Sequence, residues 1–201
     1  MDKVVDILSR KIVDWLVNNN KIGPEKEELY KYSALIAIQS SINILATLLL
    51  GFIFDAFFEN ICFFISFKIL RKYSGGLHSS KFSTCFLISI VSNIAILIAI
   101  KMFEFYPNYY LAIIIEVVSF LIVIIFAPIT NKNKPITEKE RRIYKLVVCV
   151  VSLILVGISI ILCLNKSSYV FALSLAMLLN SVLIIVEMIR KRICFDKFDY
   201  V

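Results

Sequence analysis

The fifteen residues from Arg71 to Cys85 carry the side chains best suited to nucleophilic chemistry in this chain. His78, the single histidine, stands two residues beyond the glycine pair Gly75–Gly76, and Cys85 follows it after six intervening residues. A thiolate is the attacking form of cysteine, yet a free thiol is mostly protonated at neutral pH, so its proton must be removed or its pKa lowered. Imidazole is the side chain whose ordinary pKa suits that task. If Cys85 falls in the first turn of a helix, the positive end of the helix dipole stabilises the thiolate further. The chemistry these residues offer is covalent acyl transfer through a cysteine with a histidine base.

Spacing restricts how the two can meet. In one straight helix, positions 78 and 85 lie about 10 Å apart along the axis, at 1.5 Å per residue. Helical side chains also lean toward the N-terminus, which turns His78 away from Cys85. A catalytic pair therefore requires His78 in a loop folded back over the helix start. Gly75 and Gly76 supply the permissive backbone for that turn, and Ser79, Ser80 or Ser83 are candidates to cap the helix. No third catalytic residue is evident; a Ser, a Thr or a backbone carbonyl would orient the ring. The residues alone leave a plainer reading open, with His78 an interfacial anchor and Cys85 a packing residue. One histidine with scattered cysteines supplies no closed zinc ligand set, and no metal or cofactor is expected.

The elements that must position this loop are hydrophobic. Apolar residues make up 60% of the 201-residue chain, against about 45–50% in soluble domains. Uncharged runs recur at 32–54, 82–100, 105–115, 117–131, 146–165 and 167–186, and about 20 mainly apolar residues suffice to cross a bilayer as a helix. The net charge of +7 is not spread as a nucleic-acid surface would be. Twenty of the 22 Lys and Arg fall in four clusters, at 1–33, 68–81, 132–145 and 190–197, separated by pairs of hydrophobic segments. Such alternation follows the positive-inside rule, so the clusters read as cytoplasmic anchors near anionic headgroups, and no nucleic-acid partner is expected. The five cysteines show no paired spacing. Asp2, Asp6 and Asp14 interrupt the N-terminus, which lacks a signal-peptide core.

In chain order, Val5, Leu8, Ile12, Trp15 and Leu16 share one face of a helix over 2–19, amphipathic enough to lie on a bilayer or to pack on the protein's own cytoplasmic face. Pro24 with Glu25, Glu27 and Glu28 starts a second helix, which runs into a first span near 33–54. Residues 56–70, with Glu59 and Lys68, form a short and weak second span. Further spans are expected near 82–102, 108–127, 146–164 and 168–187. Thr137 and Glu140 fit a capping box that makes the second half of the basic connection helical. The fold class is thus all-α: a polytopic transmembrane bundle of about six spans with an N-terminal amphipathic helix. It divides into an interfacial region at 1–32, a transmembrane bundle at 33–189 containing loops 71–85 and 129–145, and a basic cytoplasmic tail at 190–201.

The run Arg71…Gly75-Gly76-Leu77-His78…Cys85 resembles the signature of the accessory gene regulator B (AgrB) family. A second likeness lies at Pro128 and Asn133-Lys134-Pro135, followed by Arg141, Arg142 and Lys145, so the resemblance covers nearly the whole chain. Members of that family are membrane endopeptidases that process the AgrD precursor of cyclic autoinducer peptides in Gram-positive quorum sensing. The resemblance implies that Cys85 is the nucleophile and His78 the general base, later the acid. It also implies an AgrD-like propeptide as substrate, a thiolactone or lactone as product, a homodimer, and residence in the cell membrane with the catalytic loop cytoplasmic. Arg71 and Gly76 match further motif positions: Gly76 would shape the turn, and Arg71 would bind a substrate carboxylate or a headgroup. Lys132, Lys134, Pro135, Arg141 and Arg142 would support the motif, their charge attracting the acidic tail of the precursor or anchoring topology.

Two readings from other classes compete with an enzyme. A small peptide exporter would single out Glu116, in mid-span where an ionisable group is a functional hypothesis by default, with Asn93, Ser119 and Asn180 as pore-facing groups. A non-catalytic membrane scaffold would need none of these. As a structural residue, Glu116 would make a buried polar contact between helices, while Glu59 and Lys68 would snorkel to opposite interfaces.

Overall fold

The computed structural model describes residues 2–19, 21–75, 82–129 and 137–196. They form seven helices: α1 (Asp2–Asn18), α2 (Glu27–Ile53), α3 (Phe57–Ser74), α4 (Phe82–Phe105), α5 (Tyr109–Phe126), α6 (Glu138–Leu164) and α7 (Tyr169–Asp196). The fold is all-α, as the apolar runs predict. Five helices, α2, α4, α5, α6 and α7, are long and apolar enough to cross a membrane. The expected short second span is α3. Its 18 residues have the length of a crossing, but Glu59 in the first turn and Lys68, Arg71 and Lys72 near its end dilute its apolar character.

The chain divides into two compact units, Met1–Leu50 with Ser79–Ile94, and Gly51–His78 with Ala95–Val201. In the first, α1 buries Val5, Ser9 and Val13, one residue per turn on a narrow stripe. Leu8, Ile12 and Trp15, expected to share one apolar face with Val5 on a bilayer or against the protein, are exposed beside Val4 and Ile7, while Val5 is buried. The protein-facing stripe and the apolar strip are adjacent rather than identical. The exposed strip is what an interfacial helix lays on a bilayer. Lys31 at the start of α2 lies 3.9 Å from Asp6 of α1. Ahead of α2, Pro24–Lys26 form a single 3₁₀ turn, the fixed φ of proline initiating the helix where the acids follow.

The second unit is built around α7, where every residue from Val170 to Met177 is buried. Around it, α3, α5 and α6 each present one stripe inward: Asn60, Phe63, Ser66, Leu70 and Ser74; Ala112, Glu116, Ser119 and Val123; Val148, Ser152, Leu155 and Ser159. Small hydroxyl residues on these stripes let helix backbones approach closely, as in other membrane bundles. Val123, Val148 and Ile184 share one apolar cluster with Ala127 and Ile129, Leu70, Leu155, Leu173 and Met177 a second, and Ala112, Val170 and Phe171 a third. The Phe171 ring stacks on Phe103 at 4.5 Å and on Tyr109 at 5.4 Å. Glu59 and Lys68 are tied locally. Glu59 accepts from the Ser168 hydroxyl at 3.0 Å, and the Lys68 ammonium lies 5.3 Å from the Phe64 ring.

Candidate active site

Cys85 sits in the first turn of α4, where the sequence puts it, and its thiol is free and exposed. The cap of that helix start comes from elsewhere. Ser83, expected as a possible cap, lies inside the helix. Its backbone N–H and its hydroxyl both donate to the carboxylate of Asp2, at the start of α1. A carboxylate at this position answers both the unpaired amides of the first turn and the positive end of the dipole. One turn further on, the Ser89 hydroxyl donates to the Cys85 carbonyl at 2.9 Å. No signal within 71–85 announces Asp2, because the contact joins residues 81 positions apart.

The foot of the loop belongs to the second unit. Gly75 ends α3 with φ +73° and ψ −156°, a region essentially reserved for glycine. It pairs with Ile129 through a parallel backbone bridge, the Ile129 N–H donating to the Ser74 carbonyl at 2.9 Å. A β-carbon at Gly75 would stand 2.2 Å from the Ile129 carbonyl oxygen, so side chains are excluded by contact as well as by conformation. Arg71, one turn back on α3, donates from Nη1 to the Gly75 carbonyl at 2.6 Å. At least one arm of its guanidinium therefore holds the turn, a role that the sequence does not reveal. The Ser74 hydroxyl donates to Oδ1 of Asn180 on α7 at 2.9 Å, a buried contact.

These contacts join the two stretches that carry the family likeness. Ile129 closes the segment after α5 from which the basic connection departs, and Thr137 closes that connection at α6. The Thr137 hydroxyl accepts from the Glu140 amide while the Glu140 carboxylate accepts from the Thr137 N–H, the reciprocal capping box that the sequence predicts. Arg141 and Arg142 follow in the first turns of α6 and are exposed. Tyr144 meets Tyr73 of α3, two residues before Gly75, edge-on at 5.7 Å. Arg71, Gly75 and the start of α6 are thus gathered at one end of the second unit. His78, Gly76, Lys132, Lys134 and Pro135 lie outside the described residues.

Known proteins resemble this chain along most of its length. A family model described as Accessory gene regulator B matches residues 9–184. An AgrB-like protein 2 of Clostridium perfringens (strain 13) is 34% identical over 145 residues, 69% of this chain and 68% of that protein. An AgrB-like protein of Clostridium beijerinckii is 31% identical over 140 residues, 68% of either chain. Accessory gene regulator protein B of Staphylococcus aureus is 26% identical over 113 residues, 56% of this chain and 59% of that one. No solved structure matches.

Proposed function

The chain belongs to the accessory gene regulator B family of quorum-sensing membrane proteins, and from that premise we propose that it is a cysteine endopeptidase and peptide cyclase acting on an AgrD-like propeptide. The observation that carries this reading is the exposed, free thiol of Cys85 in the first turn of α4. A cysteine kept only for packing would be buried, whereas a nucleophile must be reachable and benefits from a helix N-terminus.

In the proposed reaction Sγ of Cys85 attacks the carbonyl carbon that joins the future ring to the acidic tail, and His78 takes the thiol proton. The C–N bond breaks, the tail leaves as an amine with the proton returned by His78, and the acyl group remains on Cys85 as a thioester. A thioester preserves acyl reactivity. A Cys thiol or Ser hydroxyl within the peptide attacks it, its proton passes to the departing Cys85 thiolate by way of His78, and the ring closes as a thiolactone or lactone. Holding the internal nucleophile against the acyl carbon favours closure over hydrolysis, and a site poor in water suppresses the competing attack. In this reading the basic clusters place the N-terminus and the catalytic loop on the cytoplasmic side. Arg141 and Arg142, exposed at the start of α6, help draw in the acidic tail.

Mass spectrometry of the full chain in lipid, incubated with an acidic-tailed precursor, tests this. Wild type should release the tail and carry an acyl adduct on Cys85. Cys85→Ala should release none, and His78→Ala should lose acylation while keeping its fold. Tail release undiminished in Cys85→Ala would overturn the proposal.

A further inference from the structure

The second unit encloses polar atoms that the proposed reaction does not use. Glu116, in mid-span on α5, is fully buried, with 0% of its surface exposed. Neither of its carboxylate oxygens has a hydrogen-bond partner among the described residues, nor do the hydroxyls of Ser119, Ser152 and Ser159 or Nδ2 of Asn180. Buried polar atoms in native proteins are almost always satisfied, by protein, water or an ion, so a set of six marks a place where something else binds.

Helix register places these atoms together. On antiparallel helices facing positions have a nearly constant sum. Val123 clusters with Val148, and the Ser159 hydroxyl faces the Glu116 carboxyl, though outside hydrogen-bonding geometry. The same register sets Ser119 against Ser152. On α7, which runs parallel to α5, Val170 and Phe171 meet Ala112 and Ile184 meets Val123, which brings Asn180 to the level of Ser119. Ser119 is three residues from Glu116 and lies on the same face of α5. The result is a layer of carboxyl, hydroxyl and amide groups midway along three packed helices, more than about 10 Å from either end of α5.

An ionised carboxylate with no counter-charge is too costly to bury at this depth. Among the described residues the ion pairs of this unit lie elsewhere, with Lys101 beside Asp55 and Glu104, and Arg190 3.8 Å from Glu187. Between Lys145 and the end of α6 the only titratable side chains are Cys149 and Cys163. On α7 they are Tyr169 in the first turn and, toward the other end, Glu187, Arg190, Lys191, Arg192, Cys194 and Asp196. By the register above, Glu187 stands about 15 Å further along the bundle axis. Among the described residues, then, no side chain at this level of α5, α6 or α7 supplies the missing positive charge, and on α3 Lys68 and Lys72 lie over the Phe64 and Tyr73 rings while Arg71 reaches the Gly75 carbonyl. Carboxylate and hydroxyl oxygens are the donors that hard cations prefer. We infer that Glu116, with the hydroxyls of Ser119 and Ser159, forms an internal site for a small cation, taken up as Na⁺ or as a proton, with Ser152 and Asn180 completing its polar wall. Asn180 also accepts from Ser74 at the foot of the Arg71–Cys85 loop, so the occupied layer is continuous with the anchor of that loop.

The test uses the full chain in lipid nanodiscs. The unfolding midpoint is followed as Na⁺ replaces choline at constant ionic strength, and again over a pH series in choline alone, for wild type, Glu116→Gln and Ser159→Ala. For bound Na⁺, wild type shows a saturable rise of the midpoint that is absent in Glu116→Gln and needs more Na⁺ in Ser159→Ala. For a bound proton, the difference between wild type and Glu116→Gln varies with pH and ignores Na⁺; Glu59 and Glu187 are common to both proteins and cancel. A midpoint that tracks Glu116→Gln at every pH and Na⁺ concentration leaves water alone in the layer and overturns the inference. Should Glu116→Gln not fold, infrared spectra of wild type decide, with Glu187→Gln as the control for band assignment. Either a slowly exchanging protonated carboxyl band or a carboxylate band moved by Na⁺ supports the site, and the absence of both overturns it.

Discussion

Helices α2 and α7 are both long and apolar enough to cross a bilayer, yet they are used in opposite ways. In the most apolar stretch of α7, 61% of residues are buried within the protein, against 11% in α2. From Val170 to Met177, α7 touches neighbours on every side, whereas Ile44, Leu45 and Leu49 of α2 are exposed. Hydrophobicity on α7 is there for packing, and on α2 for lipid. The two units differ in the same sense. The second coheres through apolar clusters shared by α3, α5, α6 and α7. The first has specific polar links, Asp2 to Ser83 and Asp6 to Lys31, beside the thin buried stripe of α1. The exposed thiol of Cys85 thus sits in the more lightly packed unit, while the glycine turn that begins its loop is anchored in the densely packed one.

This contrast can be broken by substitution. Phe171→Ala removes a buried ring that stacks on two others and should cost about 3–5 kcal/mol, read as a lowered unfolding midpoint in detergent. A loss under about 1 kcal/mol would mean that α7 is not the packing centre. Gly75→Ala forces an L-residue into a glycine-only conformation and drives a β-carbon into Ile129. It should cost about 1–3 kcal/mol from the backbone alone, and tail release should fall with it. Full activity in that variant would show that the bridge to Ile129 does not anchor the loop.

The first unit should respond more locally. Asp2→Ala removes the carboxylate that caps α4 and should cost about 1 kcal/mol, seen by hydrogen exchange as faster opening of amides 82–86 with the second unit unchanged. Thr137→Ala should loosen the start of α6 by about 0.5–1 kcal/mol, measured the same way over 138–142. Leu49→Ala, on the exposed face of α2, should change the midpoint by less than about 0.5 kcal/mol. A large effect there would reveal a protein surface on that face.

Element boundaries were largely legible in the sequence. Pro24 and the acids after it start α2, and Thr137 with Glu140 starts α6. Pro107 and Pro128 bracket α5, which runs from Tyr109 to Phe126. Cys85 in a helical first turn was legible for the same reason, since a polar serine-rich run gives way there to an apolar one. The packed face of α1 was not. Val5, Leu8 and Ile12 are alike in hydrophobicity, and only the neighbours that reach Val5 and Val13 separate the buried stripe from the exposed strip. Nor was the work of Arg71 visible, because a guanidinium that closes a turn looks no different in sequence from one awaiting a substrate.

Helix starts and stops depend on caps, prolines and charges acting within a few residues, so the chain's local order already contains them. The bridge from Gly75 to Ile129, the cap from Asp2 to Ser83 and the layer around Glu116 each join residues dozens of positions apart in the chain. Such contacts arise only when helix faces choose one another. That choice is made by the summed packing of α3, α5, α6 and α7 around a common core, and no local pattern contains it.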